Sequence, residues 1–235
     1  HPLDISCGML LIPRAMSSPR SRRRGGATVD LVLCTARAGR LHVLVVKSAA
    51  GKMVLPFVWS VDGETLEQTA RELARDITGH GIPWLAAGVA MANKKHPAES
   101  ALSVPFVGVM SGTMPTPGGA AWFPMDALPA LASRQRIMAE GALEILRLHM
   151  DVAPVAFRLL PPTFTLSELQ QAYELLLGRR LHKASFRRAL QAACLAEPTD
   201  EWRSEGRGRP AQLFKFSPRK RRGSHRSVRF DMLGH

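Results

Sequence analysis

The chain has 235 residues, is 46% hydrophobic and carries a formal net charge of +13 at pH 7. That length suits one or two domains, and that apolar fraction can bury a sizeable core. No run approaches the roughly 18 apolar residues of a spanning helix, and no basic amphipathic helix offers a leucine or aromatic face to a bilayer, so membrane partners are excluded. The charge is uneven: residues 1–30 balance at +3, residues 31–153 at +1 and residues 154–235 at +9. A basic block of domain size is the electrostatic footprint of a polyanion binder. Cys7, Cys34 and Cys194 are far apart. They form neither a zinc spacing nor a disulfide framework, which places the chain in a reducing cytoplasm as an expectation.

Along the chain, residues 1–26 read as a disordered basic arm, with Arg20, Arg22, Arg23 and Arg24 beside Gly25-Gly26. Order is expected from Ala27. Thr28 to Thr35 and Leu41 to Val46 are rich in β-branched and apolar residues around Ala38-Gly39-Arg40, which predicts a hairpin. Asp62-Gly63 marks a turn, and Thr65 with Gln68 three residues on is a capping box. The helix it opens carries Leu66, Ala70, Leu73 and Ile77 at helical spacing and stops at Gly79. Leu85 to Ala92, Leu102 to Met110 and Ala121 to Phe123 read as strands. Ser133 to Met150 reads as a long helix whose buried stripe is Ile137, Gly141, Ile145 and Leu148. Strands, helix, strands, helix imply a mixed α/β sandwich.

After Pro154 the pattern changes. Val155 to Leu160 is a short predicted helix, and Thr165 with Glu168 opens a second capped helix that ends at Gly178. A third helix covers Lys183 to Leu195. Two strands, near Glu201–Arg203 and Gln212–Phe216, follow around a Gly-Arg loop. Three helices and a hairpin in this span predict a winged helix. The expected organisation is therefore α+β: a basic arm at 1–26, a sandwich at 27–153 that includes the linker helix 133–150, a winged helix at 154–217 and a basic tail at 218–235.

A helix-turn-helix seats its second helix in the major groove. Here Phe186, Leu190, Ala193 and Cys194 are expected inward, while Lys183, Arg187 and Gln191 recur at i, i+4 and i+8 on the outer face, flanked by Ser185 and Arg188. Arginine and lysine pair with guanine and glutamine with adenine. Arg179 and Arg180 precede the helix and suit phosphates. Arg207 and Arg209, in Gly206-Arg207-Gly208-Arg209-Pro210, suit a narrow minor groove. No aromatic platform for RNA bases is visible.

These residues carry a family resemblance. Leu55-Pro56, Asp62-Gly63-Glu64-Thr65-Leu66-Glu67 and Ile77-Thr78-Gly79 resemble a Nudix box, and Trp122-Phe123-Pro124-Met125-Asp126-Ala127-Leu128-Pro129 resembles the strand and turn that close that fold. Phe164-Thr165-Leu166-Ser167-Glu168-Leu169-Gln170, Phe186-Arg187-Arg188 and Gly208-Arg209-Pro210-Ala211 resemble the winged helix of the Nudix-related transcriptional regulators of bacterial NAD metabolism. The resemblance covers about residues 27–217. It implies a transcriptional repressor that binds operator DNA as a homodimer and senses a nucleotide such as ADP-ribose, NAD or ATP, with no required cofactor.

The departures bear on chemistry. A Nudix hydrolase needs several carboxylates on one helix face to hold magnesium. The ungapped register puts Leu73 and Ile77 at carboxylate positions, and a slide by one residue puts Arg75 at another. Glu72 and Asp76 at i, i+4 remain as a weak pair, and Phe57-Val58 replaces the usual Gly-Gly. No catalytic residue and no metal site are expected. Arg37, Lys47, Trp59 and Lys94 are the candidates to line a ligand pocket, Trp59 by stacking on a base and Lys47 by meeting a phosphate. Two rival readings stand beside this one: a working pyrophosphohydrolase with a DNA-binding appendage, and a DNA-binding protein that ignores ligands.

Overall fold

The computed structural model describes residues 24–204 and 210–217. Most of the expected basic arm, Cys7, the wing arginines Arg207 and Arg209 and the basic tail lie outside the described residues.

The organising element is strand β1 (Arg24–Arg37), which begins three residues earlier than Ala27. Val29, Asp30, Leu31, Val32, Leu33 and Cys34 are all 0% exposed, so both faces of the strand are covered. On one edge β1 pairs in parallel with β6 (Leu102–Val109) over Ala27–Cys34. On the other edge it pairs antiparallel with β4 (Phe57–Val61) along its first half and with β2 (Arg40–Lys47) along its second. β3 (Met53–Val54) and β7 (Ala120–Pro124) extend the sheet from β2, and β5 (Leu85–Ala87) borders β6. β5 is shorter than the strand expected over Leu85–Ala92. Gly88 lies against Pro105 and Ile145 and the chain leaves the ladder there, returning for one bridge from Met91 to Ser103.

The period of two along β1 sorts the core into two layers. Val29, Leu31 and Leu33 face α1 (Leu66–Thr78), whose Ala70, Leu73 and Ala74 are buried against them. The expected capping box is formed in both directions: the Thr65 side chain accepts from the Gln68 N–H, and the Gln68 side chain accepts from the Thr65 N–H. Gly79 at φ 72° ends the helix. Val32 and Cys34 face α2 (Ser133–His149) through Met138, Ala139 and Ala142. Burial pushes the Cys34 thiol up to about 12, which leaves it unreactive.

The expected stripe of α2 is corrected by the structure. Gln135, Met138, Ala139, Ala142, Leu146 and Met150 face the core, whereas Ile137 is 39% and Leu148 is 70% exposed. The helix carries two apolar periodicities. The sheet selects the one whose first turn also supplies Arg134 and Gln135 to buried polar groups.

Beyond α2 the chain forms α3 (Val155–Arg158), β8 (Thr163–Phe164), α4 (Leu166–Leu177), α5 (Lys183–Ala193), β9 (Ala196–Arg203) and β10 (Ala211–Phe216). The three strands order as β8-β10-β9. The two-residue β8 was not foreseen, and β9 starts five residues ahead of the expected strand. Edge-to-face packing of Phe157, Phe164, Tyr173 and Phe186 fills the centre of this unit. The apolar layer under α2 runs without a break through Leu146 and Met150 into Val155, Phe157 and Leu176.

Candidate DNA interface and ligand site

The second capping box holds as drawn from the sequence: the Thr165 side chain accepts from the Glu168 N–H, and Glu168 Oε2 accepts from the Thr165 N–H at 2.7 Å. Glu168 also takes a 2.5 Å contact from Arg203 Nη2, which ties β9 to the start of α4. Gly178 at φ 69° closes α4. The turn to α5 is organised by Glu174, whose carboxylate accepts from the Leu181 N–H at 2.8 Å, Gln170 Nε2 at 2.9 Å and Arg180 Nη1 at 3.1 Å. Burial raises the Glu174 pKa, but these three donors outweigh it and hold the group below the ordinary carboxylate range.

That turn fixes how α5 is presented. Phe186 and Leu190 are buried, with Phe186 against Tyr173 at a ring distance of 5.4 Å. Ala193 and Cys194 are half-buried rather than fully inside. Lys183, Arg187, Arg188 and Gln191 are exposed, as are Arg179 and Arg180. Ser185 is half-buried, with its hydroxyl 3.3 Å from His182 Nδ1. The helix therefore shows solvent an uninterrupted cationic and amide-bearing face over a rigid aromatic base. Arg180 is 92% exposed and keeps one guanidinium nitrogen on Glu174, so its remaining donors point outward.

The four candidate ligand residues are not brought together. Arg37 ends β1, where it donates to the Met114 carbonyl at 3.4 Å and stacks over Trp122 with its guanidinium 5.1 Å from the ring centre. Trp59 lies opposite Thr28, nine residues back along the same strand, about 30 Å away at the strand rise. Lys47 is exposed at the far end of β2. Lys94 is exposed in the loop between β5 and β6 at φ 66°, and its carbonyl accepts from Arg134. Trp59 and Lys94 do share a neighbourhood. Trp59, Phe57, Thr28 and Asp30 stand on one face, by register, and Phe57 packs edge-on to His96 at 4.9 Å.

This neighbourhood surrounds a buried polar network that sequence reasoning missed. Asp30 Oδ1 accepts from His96 Nε2 at 2.9 Å and from Gln135 Nε2 at 2.8 Å. The Ala98 N–H donates to His96 Nδ1, which leaves Nε2 as the donor toward the carboxylate. Gln135 also holds Leu55 at both its N–H and its carbonyl. Arg134 is 3% exposed and donates to the carbonyls of Ala92, Asn93, Lys94 and Ser100 and to the hydroxyls of Ser100 and Ser103. The first turn of α2 is thus clasped to the loop that carries Lys94 and to the segment that opens the Nudix-like box. A carboxylate inside the apolar run Val29–Leu33 was the signal available in the sequence.

The residues on α1 do not fit a hydrolytic magnesium site. Leu73 is 3% exposed in the core and Ile77 packs beside it, at positions where carboxylates would have to point outward. Glu67 is paired with Arg71 at 2.7 Å, and Glu72 and Asp76 are exposed on the outer side.

A smaller set of clefts follows the junction of the two units. One of ≈ 500 Å³ is lined by Gly39, Gln171, Glu174, Leu175, Arg179 and Arg180. Another of ≈ 300 Å³ runs between Arg37, Gly112 and Glu168.

Fold and site define a class: a Nudix-like sandwich joined to a winged helix that presents a basic helix. Residues 156–216 match the family described as the NrtR DNA-binding winged helix domain, in agreement with the resemblance read from the sequence. The chain is 27% identical over 204 residues, 81% of each chain, to the ADPR responsive transcriptional repressor NtrR of Acinetobacter baylyi. It superposes on Shewanella oneidensis NrtR, crystallised in complex with a 27mer DNA, with a TM-score of 0.71 and 29% identity, covering 83% of this chain and 94% of the other. A MutT/nudix family protein from Enterococcus faecalis shares the fold at a TM-score of 0.61 and 15% identity, covering 86% and 90%.

Proposed function

We propose that this protein is a DNA-binding transcriptional repressor that senses ADP-ribose through a Nudix-like half without hydrolytic activity. The observation that carries the reading is the exposed Lys183–Arg187–Gln191 face on a winged helix whose apolar core continues into the Nudix-like sandwich. Arg187, Arg188, Lys183 and Gln191 read base edges, Ser185 assists, Arg179 and Arg180 grip phosphates, and Arg207 and Arg209 extend the contact from the wing. The protein acts in the cytoplasm as a homodimer on paired half-sites.

ADP-ribose, or a related nucleotide, lies against Trp59 and Lys94. Its base stacks on the indole and its phosphates meet the ammonium group. Arg37 and Lys47, which the sandwich holds elsewhere, belong to a more distant part of the ligand or to none of it. Binding there moves the loop that Arg134 clasps, and α2 carries the displacement to α4 through the 2.7 Å bond from Arg147 Nε to the Leu176 carbonyl. A ligand that prefers one setting of the two winged helices shifts DNA affinity by its differential binding.

The test is a fluorescence-anisotropy titration on DNA upstream of the protein's own gene neighbourhood, with and without ADP-ribose, NAD and ATP. ADP-ribose is expected to weaken binding by at least tenfold at saturation, which corresponds to about 1.4 kcal/mol of coupling. No effect of any nucleotide would remove the sensing role and leave the DNA-binding one. Magnesium-dependent release of AMP or phosphate from ADP-ribose would instead favour a working hydrolase.

A further inference from the structure

We infer that Trp202, at the stem of the wing, is a further DNA-contacting residue, its indole lying against the deoxyribose wall of the duplex. The inference rests on the DNA-binding reading above and adds an apolar contact to it. A tryptophan in a folded domain is ordinarily covered over most of its surface. Trp202 is 59% exposed, and among the described residues it is the one large apolar side chain that the winged helix leaves exposed. Its ring has no aromatic or cationic partner among them.

The stem holds this side chain in place. Trp202 pairs with Gln212 across the ladder, and the adjoining Arg203 is tied to Glu168 at the start of α4. Between Pro198 and Trp202, β9 takes four steps where β10 takes two, from Phe214 to Gln212. Thr199 fastens that irregularity: its hydroxyl donates to the Leu213 carbonyl at 3.0 Å, and its own carbonyl accepts from Gln212 Nε2 at 3.3 Å. Such a break in register bends the strand and re-aims the side chains that follow it. A stiff indole on an anchored strand loses little freedom when a partner covers it.

Position and charge select the occupant. Trp202 stands four residues before Gly206 of the Gly-Arg segment, in the unit that carries +9, so it continues the surface assigned to duplex DNA. Asp200 and Glu201, exposed just ahead of it, would repel a phosphate. The contact therefore falls on the sugars, which are uncharged and alike in every sequence. Indole against sugar adds affinity that neither depends on released counterions nor reads a base, whereas Lys183, Arg187 and the wing arginines do one or the other. Trp202 thus sets how firmly the wing is held, not which base pair it selects.

Affinity measurements on the full chain test this with two duplexes of equal length: DNA upstream of the protein's own gene neighbourhood, and an unrelated sequence. Trp202→Ala is expected to weaken both by the same factor, about tenfold, and to leave the slope of log affinity against log salt unchanged. Trp202→Phe is expected to recover most of the loss. Because the side chain is exposed, both variants keep the wild-type Tm. Acrylamide is expected to quench Trp202 in the free protein and not in the complex, a difference that W202A lacks. A W202A variant that binds like the wild type, or an indole still open to acrylamide on DNA, overturns the inference. So does a loss that comes with a flatter salt slope, since the residue would then act only through the arginines. If Arg187→Ala weakens binding while W202A does not, the DNA-binding reading stands and this contact falls. A wild type that binds neither duplex removes both.

Discussion

Arg134 is the residue on which the sandwich depends most visibly. Its guanidinium replaces water for four carbonyls and two hydroxyls in a region closed to solvent. Arg134→Gln leaves several of these acceptors without donors, each costing about 1–3 kcal/mol, so urea unfolding should show a loss of at least ~3 kcal/mol. Glu174 gives a pH signature. Its folded pKa lies below the ordinary value of 4.5, so its contribution is complete above that value and fades as pH falls through the lowered one. The Tm gap between wild type and Glu174→Gln is expected to be widest near neutrality and to close as the pH falls through that lowered value. On the DNA side, Arg187→Ala is expected to cost about 1–3 kcal/mol and to relax preference at one base pair. Arg179→Ala should weaken all sequences alike and lower the salt slope by about 1. Anisotropy at several salt concentrations separates the two.

At the scale of elements, α1 keeps the local frame of a Nudix-like box while apolar residues stand at two of its positions. Its capping box and Gly79 stop survive, yet Leu73 and Ile77 have joined the core. Leu73→Glu therefore buries an unpaired carboxylate and should destabilise by ~3 kcal/mol or more without creating magnesium-dependent turnover, as calorimetry and a phosphate assay can check. The same helix was legible from its residues, because caps and spacing are local. α4 and α5 were legible for the same reason. The buried side of α2 was not: Ile137, Gly141, Ile145 and Leu148 have a helical period as good as that of Met138, Ala142 and Leu146, and only the packed sheet decides between them. The Asp30–His96–Gln135 network lies further from view, since it joins residues up to 105 positions apart. Among the ligand candidates, the types were reasonable for a nucleotide, but one strand separates Arg37 from Trp59, and strand partners are a long-range property.

At the scale of the molecule, the described residues of the two units meet at the Arg147–Leu176 bond, along the rims of the clefts by the Ala38-Gly39 tip and through the apolar layer that passes from Val32 through Leu146 to Phe157. The last of these has a thermal consequence. Side chains that share one oily interior melt together, so a calorimetric scan of the full chain should trace a single endotherm rather than one per unit. A nucleotide held near Trp59 would then slow amide deuteration not only in the sandwich but also along α4, where it has no atoms of its own.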